Sequence, residues 1–241
     1  MMPLTTGIKE LDGVLGGGFV EGTVCAIVGP PGSGSGVFAR RFATVGDEES
    51  YYFTTNEGTD DVYSSLKRFG WSTDTTVVDI GDKYHDTVLM RRLEITKYRQ
   101  EGLKVKDVHE YAEMTDRPFN FLTYLTHEIF GMKPPFRVIV DSLDFFIDTY
   151  GVEEVLSSLR TLRAYTNKNK SLMIVTLTKG VFDAKVQNSI DALMDTLIEL
   201  ERERVGKKFE SNLIVSKVKN FPERSRIMQY SVGDNGIVLM D

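Results

Sequence analysis

Residues 29–36 read Gly-Pro-Pro-Gly-Ser-Gly-Ser-Gly. The pattern is close to G-x-x-x-x-G-K-[S/T], in which backbone N–H groups cradle phosphates, the lysine reaches the β- and γ-phosphates, and the hydroxyl binds Mg²⁺. Gly29 and Gly34 keep the glycine spacing, but Ser35 stands at the lysine position and Gly36 at the hydroxyl position. The candidate phosphate- or anion-binding residues are therefore Gly29, Pro30, Pro31, Gly32, Ser33, Gly34, Ser35 and Gly36. Glycines let a backbone wrap an anion closely, and the free N–H groups and dipole of a helix start favour negative charge. That half of the machinery is retained. The other half is missing. A hydrogen bond to a charged group contributes roughly 1.5–3 kcal/mol, so losing both side chains costs roughly 3–6 kcal/mol, or about 10²–10⁴ in affinity. The main fixed cation for transition-state charge goes with them, so catalysis suffers more than binding. Ser35 donates a hydrogen bond without supplying charge. Gly36 adds up to about 1 kcal/mol of backbone cost in a first helical turn and offers no ligand.

The elements that must position this loop are legible from apolar patterning. Val24–Val28 is a continuous apolar run that stops at Gly29, as a buried strand does, and a helix opens at Ser35 and runs to about Thr44. Tyr51–Thr54 reads as a second strand, Asp60–Phe69 as a helix and Val77–Ile80 as a third strand. The charged, helix-prone stretch of about 83–117 reads as a helical insertion. Phe136–Val140 is a strand ending at Asp141, Val152–Leu162 an amphipathic helix, and Leu172–Leu177 another buried strand. Thr196–Arg204 and Phe209–Val218 flank a turn, as do Ile227–Val232 and Ile237–Leu239. The expected fold is α/β: a mostly parallel central sheet flanked by helices, with a C-terminal antiparallel β extension. One domain spanning 1–241 is expected, since single cores grow to roughly 250–300 residues.

With 41% hydrophobic and 27% charged residues, the chain is too apolar for disorder, and no apolar run approaches a membrane span. No secretory signal opens it, so a cytoplasmic location is expected. The single cysteine, Cys25, lies in an apolar run and reads as a buried small hydrophobe. His85, His109 and His127 lack metal-ligand spacing. The Tyr51-Tyr52-Phe53 and Phe145-Phe146 runs read as core packing rather than base-stacking platforms. A net charge of −6 argues against a generally basic nucleic-acid binder, although residues 202–226 concentrate lysine and arginine.

Taken together, the motifs resemble the KaiC branch of the RecA superfamily, close to its RadA-like members, from end to end. Thr6-Gly7-Ile8, Leu11-Asp12 and Leu15-Gly16-Gly17-Gly18-Phe19 are similar to that family's opening segment, Phe69-Gly70-Trp71 to its "FGW", and Asp141-Ser142-Leu143 to its Walker B "DSL". The resemblance implies that Asp141 supports Mg²⁺ where the metal is retained. It also implies a glutamate pair after the second strand, which here is Asn56-Glu57, and a trans-acting "K-x-R" element, which here is Lys217-Val218-Lys219. Asparagine orients water but accepts no proton, and lysine lacks the planar fork of arginine.

Three altered positions imply a pseudo-ATPase. Glu57, Asn56 and Asp141 are then remnants of catalysis, and Lys217 and Lys219 are a basic element lent to a neighbour. No cofactor is demanded by the residues; weakly held ATP, ADP or a phosphate-like anion is compatible with the loop. The expected partner is a protein or peptide, including an active RecA/KaiC-like homologue or further copies of the chain. The core begins almost at residue 1, leaving no N-terminal tether, so an acceptor groove without a donor arm is a variant of this expectation. Two alternatives differ in class: an ATPase using Lys179 as a displaced cation, and a repair paralogue binding single-stranded DNA through its basic C-terminal edge.

Overall fold

The computed structural model describes residues 3–89, 96, 119–206, 208–234 and 236–240. Its centre is a nine-stranded sheet. In chain order the strands are β3 (Thr23–Gly29), β4 (Glu49–Thr54), β5 (Thr76–Asp79), β6 (Phe136–Asp141), β7 (Leu172–Thr178), β8 (Thr196–Val205), β9 (Lys208–Val218), β10 (Arg226–Gly233) and β11 (Gly236–Met240). They lie in the order β11-β10-β9-β8-β3-β7-β6-β4-β5. The strands from β8 across to β5 are parallel, and β9, β10 and β11 extend the sheet in antiparallel fashion. A separate pair, β1 (Pro3–Leu4) and β2 (Phe19–Val20), closes the opening segment.

Strand β3 is buried at all of its positions because both faces of the sheet are covered. Its alternation sorts the core into two layers. Val24, Ala26 and Val28 meet helices α5 (Phe121–Gly131), α6 (Asp144–Tyr150), α7 (Val152–Lys168) and α8 (Ala184–Leu193). Cys25 and Ile27 face the other side, with α1 (Lys9–Leu15), α2 (Ser35–Ala43) and α3 (Thr59–Arg68). Burial pushes the Cys25 thiol up to about 12, so it packs as an inert hydrophobe.

The expected strands and both C-terminal turns are present, with ends shifted by a residue or two. Ile80 is the exception: it opens the short helix α4 (Ile80–Tyr84) instead of ending β5, because the Asp79 side chain accepts from the Asp82 N–H at 2.8 Å and caps a helix there. Of the expected insertion at 83–117, residues up to 89 are helical, and 90–95 and 97–117 lie outside the described residues, as does His109.

The opening motif is held by one carboxylate. Asp12 accepts from the Thr5 hydroxyl at 2.6 Å, and from the Thr6 N–H and hydroxyl at 2.7 Å each. Gly16 then ends α1 at φ +77°, and Gly17 and Gly18 follow at +112° and +128°, conformations closed to ordinary side chains.

Arg137, near the start of β6, is fully buried. Its guanidinium donates to Glu48 Oε1 at 2.6 Å, to the Thr5 carbonyl at 2.8 Å and to the Phe42 carbonyl at 2.7 Å. One side chain thus ties β6 to the end of α2 and to the opening segment. Removing one member of a buried pair leaves an uncompensated charge, so Arg137→Met is expected to lose about 3–5 kcal/mol of stability in urea unfolding. Cys25 is expected to resist a thiol reagent in the native protein and to react fully once unfolded.

Candidate phosphate-loop site

The loop between β3 and α2 is braced from several directions. Ser33 N–H bonds the Pro30 carbonyl at 3.0 Å, and Gly34 at φ +86° precedes the helix, whose first turns donate to its carbonyl from Val37 and Phe38. Three further loop carbonyls are taken by distant parts of the chain. Lys179 N–H bonds Gly29 O at 3.0 Å, Arg202 Nη1 bonds Gly32 O at 2.9 Å, and the Tyr230 hydroxyl bonds Ser33 O at 2.5 Å. Ser33 Oγ is buried without a partner. The strand–loop–helix expected from residues 29–36 is therefore present as a single braced unit.

Asp141 ends β6 beside the start of α2. A Cβ on Gly36 would lie 3.3 Å from Asp141 Oδ2 and 3.9 Å from Arg40 Nη2. The structure thus brings Gly36, Asp141 and an arginine to one point. Both Asp141 oxygens are already engaged: the Tyr52 hydroxyl donates to Oδ2, and the Thr176 hydroxyl donates to Oδ1 at 2.5 Å. Arg40 lies one helical turn beyond Gly36 on the same face of α2 and is almost wholly buried. It forms an ion pair with half-exposed Glu57 and donates to Ser65 Oγ at 3.3 Å. Burial works against its charged form, but the surrounding Tyr52 hydroxyl and the Glu57 and Asp141 carboxylates outweigh it, and its pKa moves up. Burial and the neighbouring Asp141 charge raise the Tyr52 phenol well above its ordinary value, so its proton stays on the bond to Asp141. Asn56, at the rim, lies 3.5 Å from Ser142 Oγ.

The residues present do not fit Mg²⁺. The loop supplies no hydroxyl at position 36, both Asp141 oxygens accept protein hydroxyls, and a permanent cation stands beside them. Among the described residues no cluster of three or more metal-ligating side chains occurs.

The other predicted cations are committed elsewhere. Lys179 Nζ bonds Glu199 and Glu201, each at 3.1 Å. Lys217 donates to the Asp191 carbonyl at 2.9 Å, and Lys219 pairs with Asp195 at 3.0 Å. Thr196 pairs with both Cys25 and Val218, which puts Lys217 and Lys219 at the end of the sheet opposite the chain's own loop. There Lys219 lines a shallow cleft with Gly22, Arg160, Arg163, Asn167 and Asp195.

Residues 4–241 match the family described as ATPase: KaiC. The chain belongs to the KaiC family of ATPases. Relatives of this KaiC-family chain include a UPF0273 protein of Thermotoga maritima, 23% identical over 97% of this chain and 94% of that protein. The DNA repair and recombination protein RadB of Pyrococcus furiosus is 20% identical over 97% and 94%. The circadian clock protein KaiC2 of Synechocystis is 22% identical over 99% of this chain but 39% of its own length. A crystal structure of a KaiC-like protein from Pyrococcus horikoshii superposes with a TM-score of 0.70 at 17% identity, covering 100% of this chain and 99% of that one, and shows the shared fold.

Arg40, Tyr52, Thr176, Arg202 and Tyr230 escaped the sequence reading. Arg40 carried a signal: it lies in the apolar run from Val37 to Ala43, one helical turn from the empty hydroxyl position. The other four meet the loop or Asp141 only through pairing distant in sequence.

Tyr52→Phe leaves a carboxylate oxygen of Asp141 unsatisfied and is expected to cost about 1–3 kcal/mol in thermal or urea unfolding. Buried Asp195 gives a pH signature. Burial alone would raise its pKa, but bonds from Arg163, the Val24 N–H and Lys219 outweigh that and lower it. Its contribution is full above the unfolded value of about 3.9 and fades as pH falls through the lower folded value. Asp195→Asn is therefore expected to reduce stability at neutral pH and to flatten the loss below about pH 4.

Proposed function

We propose that this KaiC-family protein is a non-hydrolysing member that acts as a regulatory or scaffolding subunit through protein or peptide binding. One observation carries the reading: Ser35 and Gly36 stand at the loop's cation and metal-ligand positions, and each oxygen of Asp141 already accepts a protein hydroxyl, from Tyr52 and from Thr176. The phosphate loop survives as a structural turn whose carbonyls brace the end of the sheet. Its backbone still offers N–H groups at a helix start, which suits weakly held ATP, ADP or another phosphate-like anion. The natural partner is an active RecA/KaiC-like homologue or a peptide from another protein.

A second reading, binding of single-stranded DNA, is favoured by the RadB name among the relatives and by exposed Arg204 and Lys208 on the outer hairpin. Against it, Lys217, Lys219 and Arg224 of the basic segment are held by intramolecular bonds. DNA binding of that kind weakens steeply with salt, so a labelled oligothymidine titration at low and high salt separates it from protein binding. The displaced-lysine ATPase is disfavoured because Lys179 is held by two glutamates.

The expected outcome with Mg·ATP is turnover no faster than in buffer, and calorimetry is expected to show at best weak binding. Turnover abolished by Asp141→Asn or Lys179→Ala overturns the non-hydrolysing reading. A strictly monomeric protein with no stoichiometric partner on purification from its source cells overturns the subunit reading.

A further inference from the structure

We propose that the Arg40 side chain is a built-in replacement for the divalent cation of this site, closing Asp141 and Glu57 to metal. The geometry is specific. Arg40 Nη2 sits 3.9 Å from where a Cβ on Gly36 would be, and Asp141 Oδ2 sits 3.3 Å from the same point, so the guanidinium occupies the neighbourhood of the missing hydroxyl. Glu57 is its ion-pair partner, and Asp141 lies within its field. A guanidinium cannot lose its proton, so the compensation is permanent, whereas a bound metal comes and goes. A Cβ at position 36 would crowd Asp141 Oδ2 and touch the guanidinium at ordinary contact distance, so the position of the lost metal ligand, the carboxylate and the arginine adjoin one another. Two carboxylates freed of that cation, with a threonine hydroxyl nearby, present oxygen donors of the kind that hard divalent ions take.

This inference rests on the reading of a non-hydrolysing site but fails separately from it. Metal bound at Asp141 in an inactive protein removes the arginine argument alone, and ATP turnover removes the functional reading.

The experiment is titration of the full chain with Mn²⁺ alone, followed by electron paramagnetic resonance of the free ion. The wild-type protein is expected to show no saturable site up to about tenfold excess of metal, and Arg40→Gln to acquire one site per chain that disappears in Arg40→Gln/Asp141→Asn. A wild-type site that is lost in Asp141→Asn overturns the proposal, as does an Arg40→Gln protein that is folded by circular dichroism and gains no site. Arg40→Met, which keeps the aliphatic stem, is read in the same way should Arg40→Gln fail to fold, and the wild-type titration decides the exclusion whichever variant folds.

Discussion

A guanidinium buried inside a protein keeps its proton, so carboxylates and hydroxyls must be gathered around it or the fold does not hold. Arg40 imposes that constraint where the phosphate loop meets the sheet. Glu57 comes from the connection after β4, Asp141 from the end of β6, and Ser65 from α3, so three separate elements converge on one side chain of α2. Tyr52 and Thr176 complete the arrangement by donating one hydroxyl to each oxygen of Asp141. In a nucleotide hydrolase the same convergence serves a metal and a triphosphate. In this chain Arg40, Glu57 and Asp141 come together there.

Arg137 solves a related problem on the other side of the same helix. It is buried more completely than Arg40, and its partners include two carbonyls as well as Glu48. The C-terminal half of helix α2 is therefore held by Arg40 and, at the Phe42 carbonyl, by a second guanidinium. Phe38 and Phe42 pack the same helix into the core. The fold is shared with a KaiC-like structure at 17% identity, as core layers that keep volume and patterning tolerate wide substitution.

Much of this was legible in the sequence, and the part that was not has a physical reason. Buried parallel strands such as Val24–Val28 and Leu172–Leu177 announce themselves as continuous apolar runs because both faces are covered. The loop was legible because its glycines serve backbone geometry directly. Ile80 was misread as strand because a capping carboxylate at Asp79 overrode the apolar run leading to it. The charge arrangement at the site was hidden for another reason. Tyr52 in an aromatic run looks like core, and it is core, yet its hydroxyl end reaches a carboxylate 89 residues away. Lys179 looked available from its position after β7, but the glutamates that hold it belong to β8. Sequence displays which groups exist and leaves their pairing across the sheet unstated.

The brace on the loop from Tyr230 and Arg202 has a consequence for how the chain is made. The Ser33 and Gly32 carbonyls bond residues 197 and 170 positions further along. During synthesis the loop emerges well before β8 and β10, so its last hydrogen bonds wait for strands made much later. Long-range closure of this kind is slow. The newborn phosphate loop takes its final shape only when the outer strands dock, and the completeness of that edge of the sheet sets the moment at which the site comes into being.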